Sequence, residues 1–150
     1  MNPPLPGGTP EIKTLSPHDI STFSDAFIGI AADQPDEYWS EAHFLVDLPD
    51  KWKLSFAAWR DDRPIGYAVL SRKPGDAVHL HHFMIAADHR GGGLGRRMLD
   101  EMEQRAQAAR ARRLTLKVSI ANVRARKFYE RVGFNDIGAA NGYRLFEKIL

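Results

Sequence analysis

The 150-residue sequence contains no cysteine. Disulfide scaffolds, iron–sulfur clusters, cysteine-ligated zinc and thiol nucleophiles are therefore excluded. No apolar run approaches the ~20 residues that a membrane helix requires, so no membrane association is expected. Met1 to Pro10 is rich in proline and glycine and has neither a basic leader nor an apolar segment. That composition predicts a flexible tail over residues 1–10 rather than a secretory signal, and a soluble, cytoplasmic protein. Basic residues are scarce at the start: residues 1–50 hold one, Lys13, against nine acidic ones. The remaining 100 residues hold 20 basic and 10 acidic residues, so the net charge of +2 conceals two regions of opposite sign. The basic region carries Arg105, Arg110, Arg112 and Arg113 but no nucleic-acid-binding motif, and no nucleic-acid partner is expected. It suits a polyanionic small molecule, and the acidic region a cationic one; two solvated faces without partners would read the same.

The chain is 43% hydrophobic and 27% charged, enough to fill one core over residues 11–150 and thin for two. Glu11 to Leu15 reads as a strand. Ser16-Pro17 opens a helix with Ile20, Phe23, Phe27 and Ile30 at helical spacing. A polar loop with Pro35 leads to a second helix over Tyr38 to Leu48. Lys53 to Arg60 and Pro64 to Arg72 form a hairpin about Asp61-Asp62-Arg63, and Ala77 to Ile85 adds a third strand. A glycine cluster then opens a helix whose apolar stripe is Leu94, Met98, Leu99, Met102 and Ala106. Leu114, Leu116 and Val118 alternate as a strand. Asn122 caps a helix with Ala125, Phe128, Tyr129 and Val132 on one face, Gly133 ends it, and Tyr143 to Leu150 is the last strand. The order β-α-α-β-β-β-α-β-α-β predicts an α/β protein with a mixed sheet and helices on its faces.

The stretch Arg90-Gly91-Gly92-Gly93-Leu94-Gly95 fits neither a P-loop nor a dinucleotide fingerprint: no Gly-Lys-Ser/Thr follows, and the third dinucleotide glycine is missing. It does place flexible glycines between a strand and a helix start, where free N–H groups accept an anion. Arg96 and Arg97 follow in the first helical turn, where cations oppose the helix dipole by roughly 0.3–1 kcal/mol each. A bound polyphosphate would reverse the sign of that cost.

This stretch resembles the Q/R-x-x-G-x-G/A signature of the GCN5-related N-acetyltransferases, the GNAT superfamily. Asn122 to Phe134, with Ala125, Phe128, Tyr129 and Gly133, is similar to that family's N-x-x-A-x-x-F-Y-x-x-x-G-F motif. The resemblance implies an acyl-CoA N-acyltransferase fold with a mostly antiparallel central sheet and helices on both faces. It implies an acetyl-CoA-dependent N-acetyltransferase acting on a primary amine of a small molecule or peptide, with a homodimer by analogy. Phe83, Met84 and Ile85 would bind the pantetheine arm through their backbone, and Gly91 to Arg96, preceded by Arg90, would hold the pyrophosphate. Asn122 would contact the co-substrate, and Tyr129 would protonate the departing thiolate.

Direct transfer needs a base for the amine, a donor for the oxyanion and a proton for the thiolate. Strict alternation puts His79, His81, Phe83 and Ile85 on one strand face and Leu80, His82 and Met84 on the other. His79 and His81, with ordinary values near about 6.5, are therefore the candidate bases, a water being the alternative. His79-Leu80-His81 is also similar to a His-Leu-His of the arylalkylamine N-acetyltransferases. Ribosomal-type N-terminal acetyltransferases often carry a glutamate five residues before the motif asparagine; Lys117 stands there instead. The histidines could alternatively hold a metal with His82 or His89, but no third ligand falls at a fixed offset and no metal is expected. Asp33, Asp36, Glu37, Tyr38, Trp39 and Glu41 would line the acceptor pocket, where carboxylates and aromatics suit a cationic amine. A non-catalytic acyl-CoA-binding module is the competing reading.

Overall fold

The structure is a computed structural model that describes residues 9–34 and 37–150. Residues 1–8 of the expected tail, and Pro35 and Asp36 of the acidic loop, lie outside the described residues. Strand β1 (Glu11–Thr14) is followed by α1 (Pro17–Thr22), which starts where the sequence predicts: Ser16 Oγ accepts from the Asp19 N–H, and the Asp19 carboxylate accepts from the Ser16 N–H. The single helix expected across Ile20 to Ile30 is broken at Phe23, whose non-helical backbone separates α1 from α2 (Ser24–Ala31). At the break the Phe23 ring packs edge-on against Trp59 at 5.0 Å.

The second helix is shorter than expected. It is confined to α3 (Glu41–Leu45), because Ser40 caps its start and Val46 leaves helical geometry three residues before Pro49. A further helical turn, α4 (Lys51–Leu54), occupies what read as the beginning of a strand, and β2 (Phe56–Arg60) begins after it. The buried Lys51 ties the two short helices together by donating from Nζ to the carbonyls of Phe44 and Val46.

The chain continues through β3 (Arg63–Lys73), β4 (Ala77–Ile85), a 3-10 turn over Ala87–His89, α5 (Leu94–Ala108), β5 (Arg113–Ser119), α6 (Val123–Arg131), β6 (Asn135–Ala140) and β7 (Tyr143–Ile149). Strand β6 was not legible in the sequence; NDIGAA buries no residue and lies at the sheet edge, so it lacks the apolar alternation that marks a strand. Among the described residues, seven strands run in the order β1-β2-β3-β4-β5-β7-β6, and only β4 and β5 are parallel. The expected mostly antiparallel α/β architecture is thus present. One core lies between the sheet and α5 and α6, around Met98, Leu99, Met102 and Phe146. The other lies on the opposite face under α1 to α3, around Ile20, Phe27, Phe44 and Tyr67. Among the described residues no helix is long and apolar enough to cross a membrane.

Two irregularities at the sheet centre create the site. Strands β4 and β5 pair only from Ala77 and Arg113 to Leu80 and Leu116, after which they splay apart. At that point β4 also bulges: Leu70 of β3 faces Leu80, Val69 faces His82, and His81 is the extra residue. The bulge overturns the strict alternation expected for this strand. Phe83 and Ile85 pack with Val78 and Leu80 on the α5 side, whereas His82 turns toward Tyr67 and Trp39 on the other.

Candidate active site

A crevice opens in the splay. It is lined by His81, His82, Phe83 and Met84 of β4, Lys117 and Ser119 of β5, Asn122 and Tyr129 at α6, and Gln34, Glu37 and Tyr143. Tyr129 is 8% exposed, between the rings of Phe128, Phe134 and Phe146. Burial, and then the Glu37 carboxylate, push its hydroxyl well above the usual phenol range. It stays a proton donor at neutral pH.

On the other side of the bulge stands a polar chain. Tyr67, fully buried and likewise pushed up by burial and then Glu37, places its hydroxyl 2.6 Å from His82 Nδ1. His82 Nε2 lies 3.0 Å from Glu37 Oε2, within ion-pair distance but not aligned as a hydrogen bond. Trp39 stacks on the imidazole at 4.6 Å and 19°. With Tyr67 donating to Nδ1, the remaining ring proton sits on Nε2, close to the carboxylate but not directed at it.

The two histidines expected as bases are placed differently. His81 lines the crevice with Nε2 2.6 Å from Ser71 Oγ, whereas His79 is not among the lining residues and has Nδ1 2.8 Å from Thr115 Oγ1. Burial first, then Lys73 and Lys117, bring His79 down to about 4. Burial, then His79 and the lysines, bring His81 down to about 4 as well. Both rings are neutral at pH 7 and hold protons weakly. Among the described residues no group of three or more such side chains is placed to ligate a metal.

The glycine turn sits at the end of β4. Gly91 and Gly93 adopt left-handed backbone, with φ of 82° and 85°. A Cβ added at Gly91, Gly92 or Gly93 would meet nothing within 4 Å, so the turn is open for a ligand to approach the backbone. Helix α5 starts at Leu94 with no side-chain cap and no acidic residue in its first turn, leaving its N–H groups free for an anion. These residues fit a pyrophosphate. Gly95 serves packing instead. A Cβ there would lie 3.5 Å from Ile85 Cδ1 and 3.8 Å from Phe128, so it lets α5 approach β4 and α6. Arg90 donates to the Ile85 carbonyl at 2.9 Å and pairs with Asp33 at 3.3 Å. Arg96 remains exposed beside Asp100. Asn122 Oδ1 accepts from the Ala125 N–H at 3.2 Å, capping α6 while lining the crevice. Of the acidic loop, Glu37 and Trp39 reach the site, Asp33 is spent on Arg90, Glu41 accepts from Ser24 Oγ, and Tyr38 is exposed. Neither His82 nor Tyr67 was a sequence candidate for the proton transfers, because the bulge that turns His82 inward has no mark in the residue pattern.

The model of the acetyltransferase (GNAT) family matches residues 21–134. The chain belongs to the GNAT acetyltransferase family. It is an acetyl-CoA-dependent acyltransferase of that family. An uncharacterised N-acetyltransferase of Mycobacterium tuberculosis is 29% identical over 132 residues, covering 88% of this chain and 75% of the relative. One of Bacillus subtilis is 29% identical over 114 residues, covering 75% of this chain and 57% of the relative. Among solved structures, Ard1 from Thermoplasma volcanium superimposes with a TM-score of 0.80 at 21% identity, over 94% of this chain and 97% of that one. The ribosomal-protein-S18-alanine N-acetyltransferase of Escherichia coli gives 0.77 at 20% identity, over 94% of each chain. At those identities the likeness concerns the fold.

Proposed function

We propose that this GNAT protein moves the acetyl group of acetyl-CoA onto a primary amine by direct attack, without an acyl-enzyme. The observation that carries this reading is the crevice at the unpaired edge of β4, lined by Tyr129 and Glu37, with the open glycine turn at Gly91 to Gly93 following that strand. The backbone of Phe83 and Met84 would steady the pantetheine arm, and the N–H groups at the start of α5 its diphosphate. An amine entering beside Trp39 meets the Glu37 carboxylate, which attracts the ammonium form and accepts its proton, directly or through a water. Glu37 takes this role in preference to His79, which does not line the crevice, and to His81, whose Nε2 is engaged by Ser71 Oγ. His82 would orient Glu37 from behind, held in turn by Tyr67 and Trp39.

Attack on the thioester carbonyl builds an oxyanion, for which unpaired backbone N–H groups of β4 past Leu80 are the available donors. The intermediate's nitrogen gives up its second proton to water, and as the intermediate collapses the C–S bond breaks and Tyr129 protonates the thiolate. Glu37 and Tyr129 are then restored by exchange with solvent, one proton being released per turnover from an ammonium substrate. Incubation with acetyl-CoA and a panel of primary amines should release free thiol together with N-acetylated product. Thiol release matched by hydrolysis to acetate alone would contradict amine transfer.

A further inference from the structure

The crevice carries two opposite charges that do not meet. Glu37 lies against His82 at one end. Lys117 lines the same crevice from β5, and its ammonium sits 4.6 Å from the centre of the Tyr143 ring. Among the described residues no carboxylate is within 4.0 Å of Lys117. The sheet explains why its end is electropositive. Ser71, His79, Thr115 and Glu147 form one row across β3, β4, β5 and β7. The single carboxylate in that row, Glu147, is matched by Arg113 at 2.8 Å. Lys73 and Lys117 project from the same sheet face on either side of the row, close enough for both to act on His79 and His81. The Glu37 end, conversely, acts on Tyr67 and Tyr129. An acceptor consisting only of a cationic amine would answer one end and be repelled by the other.

We propose that the acceptor is a zwitterion, an amine bearing a nearby carboxylate, with its amino group at Glu37 and its carboxylate at Lys117 over Tyr143. This rests on the acetyl-transfer reading above and adds the class of substrate to it. Lys117 is then the residue that selects the acceptor, acting on binding of its non-reacting end.

The test compares matched pairs of acceptors, tyrosine with tyramine and tryptophan with tryptamine, by kcat/KM in wild type, Lys117→Glu and Lys117→Arg. The pairs differ in amine basicity, but that difference cancels when the carboxylate-to-amine preference of a variant is divided by that of wild type. Charge reversal at Lys117 should shift the preference toward the amine by about tenfold or more, mainly through KM for the acceptor, with KM for acetyl-CoA unchanged. Lys117→Arg should keep the wild-type preference. A preference that moves by less than about twofold in Lys117→Glu would overturn the assignment, since reversing the charge both removes an attraction and adds a repulsion. Stronger acceptance of O-phosphoethanolamine than of the amino acids in wild type would overturn the carboxylate in favour of phosphate. Failure of every amine, with or without a carboxylate, would remove the acetyl-transfer reading itself and this inference with it.

Discussion

His82 Nε2 and Glu37 Oε2 stand 3.0 Å apart, joining the middle of the central sheet to the loop that precedes α3. The contact exists because the β4 bulge presents His82 to the face on which Trp39 and Tyr67 can fix it. It gives Glu37 a defined position although the residue lies in a loop.

Glu37→Gln preserves size and removes the proposed proton acceptor. It should lower kcat by about a hundredfold or more, the usual contribution of a general base, with little change in KM for acetyl-CoA. His82→Gln should produce a smaller loss, because it releases Glu37 without removing it. Steady-state rates at saturating acetyl-CoA measure both. A Glu37→Gln enzyme of wild-type kcat would eliminate the carboxylate as base.

Tyr129→Phe retains the ring that packs against Phe134 and Phe146, so folding and CoA binding should survive. Thiolate protonation should not, and kcat should drop by about a hundredfold. Because burial and Glu37 hold the hydroxyl protonated, Tyr129 contributes no alkaline limb to the pH–rate profile below about pH 10. A descending limb below that pH that vanishes in Tyr129→Phe would contradict this.

Gly92→Glu separates binding from stability. A Cβ at Gly92 has open space around it and the residue is not in left-handed backbone, so the melting temperature should hold within a few degrees. A carboxylate beside the proposed diphosphate site should raise KM for acetyl-CoA by about tenfold or more, less so at high salt. Thermal melts and a salt series of acetyl-CoA titrations report the two effects. Unchanged affinity would move the diphosphate elsewhere.

His79 and His81 make stability depend on acid. Both titrate near about 4 when folded and near about 6.5 when unfolded. Between those values the unfolded chain binds more protons, so their contribution is complete above about pH 6.5 and is lost as pH falls toward 4. After solvent screening the pair should account for on the order of 1–2 kcal/mol. Urea unfolding at pH 7 and pH 4.5 measures it, and the drop should shrink in the double variant His79→Gln, His81→Gln.

Much of the frame was readable along the chain. Ser16 with Pro17, the stripe from Leu94 to Ala106, Asn122 as a cap and Gly133 as a stop are short-range signals, and each acts where it reads. The misplacements share a cause. The break at Phe23 and the turn at Lys51 go with the packing of Phe23 on Trp59 and with Lys51 reaching the carbonyls of Phe44 and Val46. These partners are distant in sequence or meet only after folding. Strand β6 escaped notice because an exposed edge strand can form on ladder hydrogen bonds to β7 without burying side chains.

The sequence by itself determined the two motifs, the helix they open and the one they cap, and with them the family and its acetyl-CoA chemistry. Local turns and caps depend on neighbouring residues, so their pattern survives in one dimension. Which side chains face the reaction was decided only by the tertiary structure. One extra residue in β4 reverses the faces of the strand beyond it, turning His82 inward, and the end of β4–β5 pairing brings Glu37, Tyr129 and Lys117 around one opening. A bulge and a splay are products of strand pairing, and pairing is settled between segments far apart in the chain.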